Sequence, residues 1–166
     1  MERVGGLKYE IVPCTWLTDE EIEDYVDEHK RFGEEVNVLW EIGQISPTAW
    51  KAKIEAAADT LYGAFLVDDR LAGVCRITKE PRHEANGKMG YSIRPSERGK
   101  GFAKIFLALI GELGTRYGVE ELTACVDERN ERSRRALEAA GWERSGRTFD
   151  WRPNPEPRKA MEYVLK

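Results

Sequence analysis

The amino-acid sequence predicts a single-domain α/β fold, with strands before, between and after helices. Its 166 residues match the size of one domain, which we expect to span residues 1–166. Hydrophobic residues make up 41% and charged residues 34% of the chain, a composition that is typical of globular proteins and argues against disorder. The spacing of apolar residues changes along the chain between the period of a strand and that of a helix.

The N-terminal part predicts a strand followed by a helix. Residues 7–13, LKYEIVP, alternate in polarity and end at a proline, as a first strand would. Thr18 and Glu21 have the spacing of a capping box, so we expect a first helix over 19–32. His29 falls on the apolar stripe of this helix and is expected to pack against the core.

The middle of the chain predicts a second helix, a hairpin and a further strand. The Ser-Pro pair at 46–47 combines a capping residue with a proline suited to a first helical turn. Residues 61–80 hold two apolar runs around an Asp-Asp-Arg turn, which predicts a β-hairpin. Residues 81–87 predict a loop, and residues 88–94, KMGYSIR, predict the fourth strand.

The C-terminal half alternates helices with strands. From Phe102 the apolar residues lie on one helical face up to 117–118, where a glycine ends the helix. Residues 121–126, ELTACV, predict a buried fifth strand, and Asn130 opens a helix that ends at Ala140 before another glycine. Two last strands, joined by the proline-rich stretch RPNPEP, are predicted over 142–150 and 160–165.

The charge and hydropathy of the chain narrow its partners and location. The net charge of −4 argues against a general nucleic-acid binder, so no nucleic-acid partner is expected. Two basic stretches on this acidic chain, 94–104 and 129–135, favour a compact anionic ligand. No apolar stretch approaches the roughly 20 residues of a membrane helix, and the N-terminus lacks the pattern of a signal peptide. We therefore expect no membrane partner and a cytoplasmic location.

The cysteine and histidine content argues against a disulfide framework and against a metal site. Cys14, Cys75 and Cys125 are widely spaced and form no CxxC pair, so they are expected to be reduced, buried thiols. Since His29 and His83 are the two histidines of the chain, we expect no metal.

The stretch RPSERGKGFAKIF, residues 94–106, places two glycines and an excess of positive charge where a helix must begin. The first N–H groups of a helix lack partners and carry partial positive charge, so they attract phosphate. Gly99 and Gly101 let the backbone approach a ligand closely, and the arginine and lysine beside them add charge. The Walker-type motif is absent, and Lys104 stands where the dinucleotide motif has its last glycine. The stretch therefore predicts a pyrophosphate site of another kind.

Two short motifs lie at the starts of the third and fourth predicted helices. Arg98, Gly101 and Ala103 form the pattern R-x-x-G-x-A at the first. At the second, Asn130 follows a strand, a serine comes three residues later, and Gly-Trp ends the helix. Together these motifs resemble the GNAT superfamily of acetyl-CoA-dependent N-acetyltransferases over about residues 61–145. The N-terminal third resembles the family in the order of its elements only.

The resemblance implies a GNAT-like fold with acetyl-CoA as acyl donor. In this fold a mixed, mostly antiparallel sheet has helices on both faces, and its fourth and fifth strands splay apart. The pantetheine arm pairs with the main chain of the fourth strand in that gap, and the pyrophosphate rests on the amides of the glycine loop. Lys100, Arg134 and Arg135 are candidates for the ribose 3′-phosphate, with a solvated helix face favoured for Arg135. The implied cofactor-binding residues are Ser92, Ile93, Arg94, Arg98, Gly99, Lys100, Gly101, Phe102, Ala103, Asn130 and Ser133.

The implied reaction is the attack of a neutral amine on the acetyl-CoA thioester, which requires a proton acceptor and stabilisation of an oxyanion. The amides around Ile93 are the expected oxyanion donors. Glu84 is the first choice as catalytic base and Tyr91 the second catalytic candidate, while His83 and Asp127 stay open.

The position of the family's usual general acid departs from the pattern. A tyrosine is expected seven residues after the helix-opening asparagine, and this chain has Leu137 there. A general acid of that type is therefore in doubt. The stretch SRRALEAAGW instead resembles the branch that includes ribosomal-protein N-terminal acetyltransferases. A non-catalytic, regulatory acetyl-CoA-binding module and a nucleotide-phosphate binder stay open as alternatives.

The acceptor is the part of the function on which the sequence is least informative. Four classes of acceptor stay open: a small-molecule amine, an amino-acid derivative, an antibiotic and a peptide N-terminus. A homodimer also stays open as the oligomeric state. One acidic run either attracts a cationic amine or forms a charged outer helix face: Asp19, Glu20, Glu23, Asp24 and Asp27. Four aromatic residues either line an apolar pocket or, as we favour, lie in the core: Trp40, Trp50, Phe149 and Trp151.

Overall fold

The structure, a computed structural model, describes residues 2–4, 6–33, 45–80, 83–151 and 158–165, with side chains over 6–33, 45–79, 87–150 and 159–165. The predicted RPNPEP turn and Trp40 lie outside the described residues. The elements are, in chain order, β1 (Glu2–Val4), β2 (Leu7–Pro13), a 3-10 helix (Cys14–Trp16), α1 (Asp19–Arg31), α2 (Pro47–Ala56), β3 (Thr60–Val67), β4 (Arg70–Glu80), β5 (His83–Ile93), a second 3-10 helix (Pro95–Glu97), α3 (Phe102–Arg116), β6 (Glu121–Asp127), α4 (Glu131–Ala139), β7 (Glu143–Trp151) and β8 (Arg158–Leu165).

The described strands form one mixed sheet. Their hydrogen-bonded order is β1-β2-β3-β4-β5-β6-β8-β7. The registered pairs are antiparallel except for β5 with β6, which is parallel. This parallel register covers Asn86–Lys88 of β5 against Glu121–Thr123 of β6, while β5 continues to Ile93. The expected mixed, mostly antiparallel sheet is confirmed, and the predicted fourth and fifth strands are β5 and β6.

The helix starts form where the sequence places capping residues. At α1 the Glu21 amide donates to Thr18 Oγ1 at 3.1 Å and the Thr18 amide donates to Glu21 Oε1 at 2.9 Å, a complete capping box. At α2 the Ala49 amide donates to Ser46 Oγ at 3.1 Å. His29 is buried, as its place on the apolar stripe predicts.

The predicted hairpin is β3 and β4, joined by a tight turn at Asp68 and Asp69. Both residues have positive φ, 48° and 66°, the conformation that two-residue turns between antiparallel strands require. The Lys8 amide donates to Asp68 Oδ1 at 2.7 Å, which holds the turn against β2. Aspartate tolerates this conformation better than most residues, so an Asp-Asp pair serves where glycine is more usual.

Two strands differ from the sequence prediction. The hairpin of β1 with β2, which turns at Gly6 with φ +82°, is absent from it. The loop predicted over 81–87 is wrong for residues 83–87, which belong to β5. This segment has few strand-forming side chains, and backbone pairing with β6 extends it, a long-range effect that local composition does not report. The other predicted boundaries lie within two residues of the observed ones.

The chain divides into two compact units, Met1–Thr78 with Gly90–Phe102, and Lys79–Met89 with Ala103–Lys166. The core of the first unit gathers buried side chains from the first 3-10 helix, α1, α2, β3 and β4. Trp50 of α2 is 1% exposed there, so its predicted place in the core is confirmed. The buried members are Cys14, Leu17, Ile22, Tyr25, Val26, Trp50, Ile54, Ala64, Leu71 and Val74.

The second unit packs α3 closely on β6 and β8 through two helical glycines. A Cβ added at Gly114 would lie 2.9 Å from Leu122 Cδ1, and one at Gly111 would lie 3.0 Å from Leu165 Cδ2. The glycines therefore allow the helix backbone to approach the strands. The fully buried side chains of this unit include Phe106, Leu107, Ile110, Leu137 and Tyr163.

The three thiols are free, and two of them are buried as predicted. Burial raises the pKa of Cys75 to about 12 and also raises the pKa of Cys14 well above its ordinary value. Cys125 is exposed, so its predicted burial is wrong. The reason is strand alternation: Ala124 and Val126 on either side take the buried face of β6.

Candidate functional site

Two glycines shape the loop between the second 3-10 helix and α3. Gly99 has φ +77° and Gly101 has φ +81°, a region that other L-residues rarely adopt. A Cβ added at either position meets no described heavy atom within 4 Å. Backbone conformation, and not close packing, is therefore what requires glycine here, and the space beside both residues is open to a ligand.

The loop leads into an α3 N-terminus with a basic first turn. Phe102 is buried and packs edge-on against the Tyr9 ring, with ring centroids 5.9 Å apart, which holds the start of the helix. The first turn contains the exposed Lys104 and no acidic side chain. The partial positive charge of this helix end is therefore not neutralised by its own first turn.

A buried carboxylate organises the cations of the loop. Glu97 is 5% exposed, and its carboxylate accepts from Arg70 Nη2 at 2.7 Å and from Lys100 Nζ at 3.1 Å. The side chains of both cations are more than half exposed. Lys100 therefore has a defined position beside the loop. Arg70 is a basic group that no sequence motif indicates, because its proximity to Glu97 depends on how the β3–β4 hairpin packs.

Arg94 supports the loop through its backbone and its side chain. Its amide donates to the Ala72 carbonyl at 2.8 Å, and its Nη1 donates to the Leu71 carbonyl at 2.9 Å. Its guanidinium also pairs with Asp24 and Glu28 of α1. The Arg94 amide and side chain are thus engaged within the first unit.

Glu28 joins α1 to the turn before the loop. Its carboxylate accepts from the Ser96 amide at 3.2 Å, from Ser96 Oγ at 2.9 Å and from Arg94 Nε at 3.3 Å. Burial by itself raises the pKa of Glu28, but the hydrogen bonds from Ser96 and the charge of Arg94 outweigh it and hold the pKa below its ordinary value. Glu28 is therefore an ionised carboxylate at neutral pH.

The end of β5 presents its backbone groups alternately to its two edges. Because the Arg94 amide points to β4, the Ile93 backbone faces the other edge. The Ile93 carbonyl accepts from Arg98 Nε at 3.0 Å, and the Ser92 carbonyl accepts from the buried Tyr25 hydroxyl at 3.1 Å. Burial raises the pKa of Tyr25 above its ordinary value, so this hydroxyl keeps its proton.

The predicted residues of the second unit meet at the start of α4. Asn130 caps this helix, and its Oδ1 accepts from the Ser133 amide at 3.2 Å. Arg134 Nη1 donates to the Glu128 carbonyl at 2.9 Å, which engages a residue proposed for phosphate. Arg135 is largely exposed and lies 3.5 Å from Glu131 on the same helix, so its solvated position is confirmed.

The candidate catalytic residues are described to different extents. The side chains of Glu84 and His83 lie outside the described residues, although their backbone belongs to β5. Tyr91 is half-buried on β5. Asp127 ends β6, where its Oδ1 accepts from the Arg129 amide at 2.9 Å. Leu137, at the position of the expected tyrosine, is fully buried.

The acidic run on α1 is partly neutralised. Asp24 pairs with Arg94, and Asp19 lies 2.7 Å from Lys51 Nζ on α2. Two members of the run therefore hold the first unit together. Of the aromatic candidates besides Trp50, Phe149 is 37% exposed and lies 5.1 Å from the Arg147 guanidinium, so its predicted place in the core is wrong. The Trp151 side chain lies outside the described residues.

Two further features are absent from the part of the chain that the structure describes. No helix there is long and apolar enough to cross a membrane. Within the same residues, no group of three or more His, Cys, Asp or Glu side chains is placed to hold a metal ion.

Comparison with known proteins identifies one family over most of the chain. The family described as "Acetyltransferase (GNAT) domain" matches residues 9–143. The search of curated proteins found no match. Many solved structures match the fold, all those compared below being less than 25% identical to the chain, so that they bear on the fold alone.

Three solved structures represent these matches. RimJ from Mycobacterium smegmatis, in complex with CoA-disulfide, has a TM-score of 0.75 and 17% identity, over 95% of this chain and 81% of that one. The ribosomal-protein-S5-alanine acetyltransferase from Vibrio fischeri has a TM-score of 0.74 and 14% identity, over 99% and 94%. The Campylobacter jejuni N-acetyltransferase PseH, in complex with acetyl coenzyme A, has a TM-score of 0.65 and 14% identity, over 96% and 99%.

Proposed function

The chain belongs to the GNAT acetyltransferase family, and we propose that it transfers an acetyl group from acetyl-CoA to a primary amine of a small molecule or a peptide N-terminus. The observation that carries the proposal is the loop at Arg98–Ala103, where two glycines with positive φ border open space at a basic helix start. Two similar folds were solved with CoA-disulfide or acetyl coenzyme A bound, which supports the choice of donor.

In this proposal the pyrophosphate is held by backbone amides from Gly99 to Ala103. The open space beside Gly99 and Gly101 suits close approach of an anion to the backbone, which a side chain at either position would hinder. Lys100 and Arg70, both fixed by Glu97, supply positive charge beside the loop. Asn130 and Ser133 are proposed contacts for the pantetheine end.

The acetyl thioester brings an activated acyl group, so the protein needs to position the amine and stabilise the charge that develops. The Ile93 amide is the proposed donor to the oxyanion, because alternation along β5 turns it away from β4. The Arg94 amide is already donated to Ala72, so we assign Arg94 a supporting role. By the same alternation the Ser92 backbone faces the edge of Arg94, and its carbonyl already accepts from Tyr25, so we assign Ser92 a supporting role as well.

Glu84 is the proposed base that accepts a proton from the incoming amine, and Tyr91 is the second candidate. An alkyl amine with a pKa of about 10 is mostly protonated at neutral pH, so a proton must leave before attack. Loss of a base of this kind reduces the rate by about 100-fold or more. The Glu84→Gln and Tyr91→Phe variants therefore rank the two residues by kcat, with acetyl-CoA affinity as the control.

The experiment that tests the function is steady-state release of CoA thiol from acetyl-CoA with a panel of amines. The panel contains polyamines, free amino acids, an aminoglycoside and short peptides. A peptide with an N-terminal alanine belongs in it because the similar Vibrio fischeri fold is named for ribosomal-protein-S5-alanine acetylation. Turnover with any of these acceptors supports the proposal, and tighter binding of ATP than of acetyl-CoA in calorimetry contradicts it.

A second candidate function, a non-catalytic acetyl-CoA-binding regulatory module, is favoured by Leu137. The family usually has a tyrosine acid at this position. Leucine has no hydroxyl that could protonate the thiolate, and the Leu137 side chain is fully buried. CoA thiolate is a tolerable leaving group, which is why we place the enzyme first. Acetyl-CoA binding without turnover across the whole amine panel would reverse this order.

A further inference from the structure

The carboxylate of Glu28 binds the turn at Ser96, which precedes the glycine loop. It belongs to α1, yet among the described residues its hydrogen-bond donors come from Arg94 and Ser96, in the segment after β5. It accepts hydrogen bonds from the amide and the hydroxyl of Ser96, the middle residue of the second 3-10 helix, and from Nε of Arg94. Glu28 is 8% exposed, so these bonds lie away from bulk water.

The hydrogen bonds of this buried carboxylate indicate that it has a structural role. A buried carboxylate is unfavourable unless several donors satisfy it, and here Ser96 and Arg94 do so. The bond to the Ser96 amide fixes the backbone two residues before Arg98, where the glycine loop starts. Arg94, the other partner, also bonds the Ala72 and Leu71 carbonyls, so the turn is held from both sides.

The glycines make such an anchor necessary. Gly99 and Gly101 have no side chains to pack, and glycine loses more conformational freedom on ordering than any other residue. A loop that is ordered only when the ligand binds loses affinity through that entropy. A fixed point immediately before the loop reduces the loss.

We infer that Glu28 is a positioning residue for acetyl-CoA binding: it fixes the Ser96 turn and thereby pre-orders the amides from Gly99 to Ala103 without touching the cofactor. The inference rests on the proposed function, since it assigns the loop to the pyrophosphate.

Calorimetric titration with acetyl-CoA of three variants tests the inference. Glu28→Ala should weaken binding about tenfold, the equivalent of one charge-assisted hydrogen bond. Glu28→Gln should recover part of this affinity, because its amide oxygen still accepts from Ser96 while the charge is lost. Glu21→Gln is the matched control: the same change on the same helix, at a carboxylate that accepts from the Thr18 amide, should leave the affinity unchanged.

Hydrogen exchange of the free protein separates positioning from general destabilisation. Glu28→Ala should speed exchange of the hydrogen-bonded amides from Ser96 to Arg98, while the exchange of α4 amides stays as in the wild type. Equal acetyl-CoA affinity in wild type and Glu28→Ala, or unchanged exchange of the amides from Ser96 to Arg98, overturns the inference and leaves the proposed function intact. A wild-type protein that does not bind acetyl-CoA overturns both.

Discussion

The N-termini of α1 and α3 are the same type of structure put to different uses. At α1 the side chains of Thr18 and Glu21 form a reciprocal capping box, and the first turn carries three acidic residues. At α3 two glycines with positive φ precede the helix, and Lys104 is the charged residue of the first turn. One helix start caps its own amides and has acidic residues beside its positive end, and the other has no acidic residue in its first turn.

The difference shows how a fold separates stability from binding. A capped helix start contributes about 1 kcal/mol to stability and has little left to offer a ligand. A helix start preceded by glycines forgoes that contribution, and its amides stay available to an anion. The segment between β5 and the loop is held by contacts that are distant in sequence: Glu28 of α1 binds Ser96, and Arg70 binds Glu97.

The largest effect is expected at the open helix start. Gly101→Val should weaken acetyl-CoA binding at least about 100-fold, because the side chain enters the space proposed for the phosphates and removes roughly two hydrogen bonds to a charged group. Calorimetry measures the affinity.

Gly118→Val is the matched control for this variant. Gly118 follows the other end of α3 with φ +87°, and an added Cβ there also meets no described atom within 4 Å. Both variants carry backbone strain of about 1–3 kcal/mol, and only the first should lose affinity. Equal losses of affinity in the two would show that strain, and not the site, is responsible.

An acidic residue in the first turn of α3, as in α1, should weaken acetyl-CoA binding and increase the stability of the fold. Lys104→Glu places an acid in the first turn of α3 on an exposed position. The helix dipole should then stabilise the fold by about 0.3–1 kcal/mol, while repulsion of the phosphates weakens acetyl-CoA binding about tenfold at low salt. Urea unfolding and calorimetry measure the two quantities. Unchanged affinity would contradict the assignment of this helix end to an anion.

Removing the capping box should affect stability alone. Thr18→Ala deletes the acceptor of the Glu21 amide and should cost about 1 kcal/mol of unfolding free energy, with acetyl-CoA affinity unchanged. Thr18→Ser, which keeps the hydroxyl, serves as control and should retain most of the stability. A loss of affinity in Thr18→Ala would mean that the two helix starts are not independent.

The smallest effect is expected for the pH dependence of stability that comes from Asp19, at the start of α1. The hydrogen bonds from Lys51 and then Thr48 lower the pKa of Asp19 below its ordinary value. A lowered folded-state pKa gives stability that is present above the unfolded pKa of about 4 and is lost as pH falls through the folded value. Wild type should therefore exceed Asp19→Asn in urea-unfolding free energy by more at pH 7 than at pH 3. An equal difference at both pH values would contradict the charge origin.

Local signals account for most of the elements that the sequence predicts. The capping box at Thr18 and Glu21, the Ser46 cap and the glycine-ended α3 each involve residues a few positions apart, and the structure has them where expected. Elements that depend on pairing are those missed: β1, and the part of β5 that lies along β6. Their side chains have weak preferences, and the partner strand determines the conformation.

The sequence by itself determined the α/β class, the two glycines and the basic charge of the loop, and the family motifs around Arg98 and Asn130. The tertiary structure decided which side chains support that loop: Glu28 meets Ser96 from 68 residues away, and Arg70 meets Glu97 from 27. The physical reason is the separation along the chain between the interacting residues. Backbone conformation and capping follow from neighbours along the chain, whereas the partner of a buried charge depends on which elements pack together.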